Sequence, residues 1–124
     1  MAKKIKIITG ELNVEAELND SKTAQLIWDA LPIEGKNNLW GEEIYFGIPV
    51  KAGPEEGARE VVSAGELGFW PPGHAFCIFF GPTPASQGNE IRAASAVNII
   101  GKVVGDSKAF LKAKNGAKIL LEKV

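Results

Sequence analysis

Apolar and polar positions alternate most regularly between Leu12 and Leu18, where Leu12, Val14, Ala16 and Leu18 are separated by Asn13, Glu15 and Glu17. A period of two sets the apolar residues on one face of a strand and the polar ones on the other. The preceding KIKIIT shows a similar strand pattern, and Gly10 between the two arms tolerates positive φ. The stretch KIKIITGELNVEAEL is therefore predicted to be a β-hairpin. The period then changes. Asn19, Asp20 and Ser21 are all residue types that cap helix N-termini, and Ala24, Ile27, Trp28 and Leu31 follow at helical spacing. Pro32 ends this helix, because the residue before a proline is pushed out of the α region. At that spacing Trp28 belongs to the core.

The second half of the chain is a series of short strands broken by glycine and proline. NLWGEEIYFGIPV is read as one strand with Trp40, Ile44 and Phe46 on one face and Leu39 and Tyr45 on the other. KAGPEEGA is a loop, REVVS a short strand, and Gly65 and Gly68 interrupt the chain again. In AFCIFF, Phe76, Ile78 and Phe80 point one way and Ala75, Cys77 and Phe79 the other, so this strand is buried on both faces. NEIRAASAVNIIGKVVGD supplies at least one further strand, DSKAFLKA a second short helix capped by Asp106 or Ser107, and AKILLEKV a closing strand. The prediction is a mainly β fold: a closed β-barrel of about eight strands with two short helices, as a single domain over residues 1–124.

Composition narrows the function classes. A chain of 124 residues with formal net charge −1 fits one domain and gives no electrostatic reason to expect nucleic acid or an anionic membrane as partner. One cysteine makes no internal disulfide. The opening MAKKIKIITG lacks the order of a signal peptide, and the apolar run AFCIFF is far short of the ~20 residues a membrane helix needs. The expectation is a cytoplasmic protein, a monomer or a weak homo-oligomer.

Candidate chemistry concentrates near the aromatic strand. WPPG and GPTP flank it as rigid turns, since proline fixes φ and removes an N–H. They hold Trp70 and His74 at one end and Thr83 at the other. Cys77 sits in an apolar run, where a thiol is inert. With a single His74 and a single cysteine there is no zinc-ligand spacing, and no metal or cofactor is expected. Glu42 and Glu43 are neighbours on a strand and face opposite ways, so they form no acid/base pair. Glu55 and Glu56 are read as a solvated loop. There are two arginines, Arg59 and Arg92. The fork of Arg92 either binds a carboxylate or carbonyl in a groove or pairs with Glu90 at the surface.

The order of these elements resembles the cyclophilin fold. The strand end F-H-R-x-I-P-G-F, the strand S-Q-F-F-I and the strand F-G-K-V of cyclophilins correspond here to IYFGIPVK, HAFCIF and IIGKV. FWPPGHAFCIFFGPTP followed by NEIRAASAVNIIGKV is more closely similar to a small bacterial and archaeal cyclophilin-like group of unassigned function. The resemblance implies a cyclophilin-like barrel over nearly the whole chain. It does not carry the catalytic set across. Phe46 stands where cyclophilins place the arginine that holds the proline carbonyl, KAGPEEGARE contains no glutamine, Cys77 replaces a pocket phenylalanine, and the groove histidine falls near Val97. Fold alone does not transfer function.

Three functions compete. The first is a non-catalytic domain binding a peptide or small molecule in a groove lined by Glu43, Tyr45, Phe46, Trp70, His74, Phe80, Thr83, Arg92 and Asn98, with no catalytic residue assigned. The second is a prolyl isomerase in which Arg59 or Arg92 reaches the groove near Tyr45 or Phe46. The third makes FWPPG an exposed apolar patch for self-association or partner binding.

Overall fold

The computed structural model describes residues 3–124; Met1 and Ala2, which open the segment read as lacking a leader, lie outside the described residues. Ten strands form among these residues, with one α-helix and two 3-10 segments. The predicted hairpin is β1 (Lys3–Thr9) and β2 (Leu12–Leu18), paired antiparallel along their full length around Gly10. Helix α1 (Lys22–Ala30) follows, and of the three cap candidates Ser21 takes the position, its hydroxyl accepting from the Ala24 N–H at 3.2 Å. Leu31, ahead of Pro32, is extended at φ −66° and ψ 146°, which stops the helix. Ala24 and Ile27 are buried, and Trp28 and Leu31 pack against the same core.

The chain then forms β3 (Ile33–Lys36), β4 (Asn38–Leu39), β5 (Glu43–Gly47), β6 (Arg59–Val62), β7 (Glu66–Trp70), β8 (Ala75–Phe79), β9 (Ile91–Val103) and β10 (Lys118–Lys123). Hydrogen-bonded order runs β3-β10-β1-β2-β9-β7-β8-β5-β4, with β6 added on β9. The expected continuous ring is not closed. β3 and β4 are the two ends of the ladder, and the covalent chain through Asn37 joins them. The smaller strand number expected from sequence has local causes: IEGK and ELGFW are not among the expected strands, and NLWGEEIYFGIPV, expected as one strand, is β4 and β5 folded back on each other as an antiparallel pair. The second predicted helix is a 3-10 helix, Ser107–Lys112, capped by Asp106, whose carboxylate accepts from the Lys108 N–H at 2.9 Å.

β9 is the longest strand and serves both halves of the fold. Its later part pairs with β2 and β7, and its earlier part with β6. Gly101 makes this crossing possible: a Cβ there would lie 2.1 Å from the Glu17 carbonyl oxygen on β2. Backbone cannot yield by that amount, so only glycine fits.

The two faces of β5 and β8 belong to different clusters. Ile44, Phe46, Phe76, Ile78 and Phe80 enter the main core with Ile5, Ile7, Leu67, Phe69 and Phe110. Phe46 and Phe76 are register partners whose ring centroids lie 5.4 Å apart. Ala75, Cys77 and Phe79 face the other way, into a smaller cluster with Val62, Ile91, Ala93 and Val97. Two-sided burial of AFCIFF is therefore met by two separate cores.

Candidate functional site

The smaller cluster does not fill its side of the sheet completely. A pocket of about 260 Å³ opens there, lined by Trp40, Glu43, Tyr45, Trp70, Cys77, Ala93 and Ala94. Strand register assembles it. Glu43 and Tyr45 are two apart on β5 and share a face; Cys77 on β8 is directly opposite Tyr45, and Gly68 on β7 lies opposite Cys77. The room over Gly68 is taken by Val97, whose Cγ2 would lie 2.9 Å from a Cβ there, and it is the small side chains of Ala93 and Ala94 on β9 that leave the pocket open.

Trp40 reaches the pocket through a turn. Its N–H donates to the Glu43 carbonyl at 2.9 Å, and Gly41 between them has φ +62°. A Cβ on Gly41 would meet the Pro82 carbonyl and Thr83 at 2.9 Å, so the GPTP loop clamps this turn. Trp70 is held from the opposite side: its indole N–H donates to the Ser95 hydroxyl at 2.6 Å.

Electrostatically the pocket centres on Glu43. The residue is 5% exposed, and its Oε1 has no hydrogen-bond partner among the described residues. Burial raises its pKa to about 7, and the neighbouring Cys77 thiol opposes this only in part. Burial likewise pushes the Cys77 thiol well above its ordinary range, with the Glu43 charge beside it adding to the effect. Cys77 is thus a neutral wall rather than a nucleophile.

Of the nine residues expected in a groove, the structure brings Glu43, Tyr45 and Trp70 together here. Phe46 and Phe80 lie on the opposite face, in the main core, where Phe80 packs 6.0 Å from Phe110. His74 is exposed at the end of the 3-10 turn Pro71–Gly73, with φ 47°. Thr83 is buried as a loop brace, its hydroxyl donating to the Arg92 carbonyl. Asn98 is a buried tie: its amide donates to Thr23 Oγ1 at 3.1 Å and the Gly53 carbonyl at 3.0 Å, and its carbonyl accepts from the Glu55 N–H at 2.8 Å. Glu55 is correspondingly not a free loop charge, since its carboxylate accepts from the N–H and the hydroxyl of Thr23.

Arg92 takes the surface-pair alternative, with its Nε donating to Glu90 at 2.6 Å and Nη1 lying 3.6 Å from Glu60. Arg59 pairs with Glu66 at 2.8 Å. Neither guanidinium is among the groups lining the pocket. FWPPG is also less exposed than expected, because Phe69 is fully buried and Trp70 half-buried. Among the described residues, no helix is long and apolar enough to cross a membrane, and no group of three or more His, Cys, Asp or Glu residues is placed to hold a metal ion.

Trp40, Cys77, Ala93 and Ala94 complete the lining. The AASA run was the visible signal for the alanines, because small residues beside aromatic strands leave space. Trp40 carried no signal under strand alternation, which assigned it to the face of Ile44 and Phe46; the Gly41 turn reverses that parity.

A family model described as cyclophilin-like matches residues 3–122. The solution structure of a hypothetical protein from Archaeoglobus fulgidus is 37% identical, with TM-score 0.84, covering 99% of this chain and 95% of that one. The structure of McbB in complex with tryptophan is 15% identical, with TM-score 0.69 over 95% of this chain and 44% of that one, a likeness of fold. A search of curated proteins found no significant match.

Proposed function

The chain belongs to the cyclophilin-like family, and from that premise we propose that it is a binding domain whose ligand site is the pocket between Trp40, Tyr45 and Trp70. The observation that carries this reading is the unpartnered, buried Oε1 of Glu43 at a pocket with otherwise apolar and aromatic walls. Buried polar atoms are ordinarily paired, and an unpaired carboxyl oxygen on a residue that lines a cavity points to a partner that arrives from outside. Apolar walls with a single polar fixture suit a ligand held by area and oriented by one contact. A volume of about 260 Å³ is below the ~300–1,000 Å³ usual for drug-sized ligands. It selects a compact organic molecule, or the end of a peptide side chain.

A screen of small organic fragments by protein-observed NMR tests this, with the indole N–H signals of Trp40 and Trp70 as reporters. Binders are expected to shift both signals, and Ala94→Phe, which fills the mouth from an exposed position, is expected to abolish the shifts. The reading fails if no fragment moves these signals, or if the shifts survive unchanged in the filled variant.

A further inference from the structure

Glu43 also constrains the chemistry of the ligand. A carboxylate removed from water is costly unless it is paired, and among the described residues Oε1 has no hydrogen-bond partner. The two arginines are engaged with Glu66, Glu90 and Glu60. The pocket lining contains no lysine, arginine or histidine. Its remaining donors carry no charge: the Cys77 thiol is a poor donor, the Trp70 indole N–H is bonded to Ser95, and the Tyr45 hydroxyl and Trp40 indole N–H are neutral. Three of the seven lining residues are aromatic. Aromatic rings attract cations through their quadrupole and do nothing comparable for anions, which the carboxylate would repel as well.

We infer that the pocket takes an organic ammonium group, with Glu43 as its counter-charge and Trp40, Tyr45 and Trp70 around its alkyl substituents. This rests on the pocket being the ligand site. A metal ion is a poor alternative occupant, because hard cations need several oxygen ligands and this lining offers one carboxylate and apolar walls. A neutral apolar ligand would fill the volume and leave Glu43 as it is, buried and unpaired. An ammonium answers both features at once, and the compact volume fits a small alkylated head group.

Binding is coupled to the protonation of Glu43. The titratable groups facing it are Tyr45 on β5 and Cys77 on β8; β9 contributes Ala93 and Ala94, its Arg92 being paired with Glu90. The Cys77 thiol stays neutral through the mildly alkaline range. With the Glu43 pKa at about 7, its ionised fraction rises about thirtyfold between roughly pH 5.5 and 8.5. Cation affinity is expected to rise with pH by up to that factor.

The test compares choline with 3,3-dimethylbutan-1-ol, its neutral isostere, by NMR titration of the Trp40 and Trp70 indole signals. Choline is expected to bind at least about tenfold more tightly at pH 8.5, a preference worth about 1.4 kcal/mol. Most of that preference should vanish at pH 5.5 and in Glu43→Gln. Equal binding of the two compounds at pH 8.5 would overturn the ammonium inference and leave the pocket standing as a ligand site. No shift by either would overturn it too, and the broader fragment screen would then decide the pocket itself. A choline preference that survives intact in Glu43→Gln would remove the carboxylate from the proposal and refute it.

Discussion

The two faces of β5 and β8 are built from alternate residues of the same two strands, yet they differ in kind. On the inner face Ile44, Phe46, Phe76, Ile78 and Phe80 are at most 2% exposed and meet only other apolar groups. On the outer face Glu43, Tyr45 and Cys77 border a void and a carboxyl oxygen without a partner among the described residues. The inner face is complete without any other molecule. The outer face is stable only because the inner one holds its strands in register, and its open polar valence is a local cost that the fold tolerates. Family-level architecture and ligand chemistry are therefore separable on a single strand, residue by residue.

Truncating the inner face should have the largest consequence. Phe76→Ala removes a fully buried ring paired with Phe46 and is expected to lower stability by about 3–5 kcal/mol in chemical denaturation. On the outer face the sign should reverse. Because burial raises the Glu43 pKa from 4.5 to about 7, the folded chain retains a proton that the unfolded chain has released. Stability due to this group is undiminished below about pH 4.5, falls as pH rises to about 7, and is level above that. Glu43→Gln is accordingly expected to stabilise by about 1–3 kcal/mol at alkaline pH. At pH 4 the variant and parent should melt alike; a constant difference across that range would show that charge is not the cause.

Asn98 sharpens the comparison from outside the pocket. From β9 it ties helix α1 and the 51–58 loop through three hydrogen bonds, one buried and two partly buried. Asn98→Ala should cost about 2 kcal/mol, with ligand-induced shifts at Trp40 and Trp70 unchanged in the folded variant. The smallest expected effect is Trp70→Phe, about 1 kcal/mol for the lost indole bond to Ser95. Its more useful readout is ligand affinity, which should fall while the melting temperature drops by only a few degrees.

Much of the architecture was legible because alternation and capping are local. The hairpin followed from Leu12–Leu18, the helix bounds from Ser21 and Pro32, and two-sided burial from AFCIFF. The same parity would have separated Phe46 from Tyr45, which sit on opposite faces of one strand; grouping Phe46 and Phe80 with Tyr45 in one groove mixed the two faces. Other placements depended on contacts between distant segments. The turn that carries Trp40 inward is fixed by the Gly41 conformation and by the loop at Pro82 and Thr83. Arg92 had both roles open until Glu60 and Glu90 were found beside it. Asn98 and Glu55 were invisible as a tie because their partners lie tens of residues away. Glu43 was legible as a candidate, but its missing partner is a property of space.

The position of β10 between β1 and β3 bears on how the chain is made. During synthesis, β1 and its hairpin partner emerge first, and β3 soon after, but the strand that lies between β1 and β3 is translated more than eighty residues later. Until residue 123 has left the ribosome, both strands present an unpaired edge, that of β1 flanked by Ile5 and Ile7. At ~5–20 residues per second that interval lasts several seconds or more, and edges of this kind are where nascent chains associate wrongly. The ladder of this domain is thus completed late, with β1 and β3 waiting longest for their neighbour.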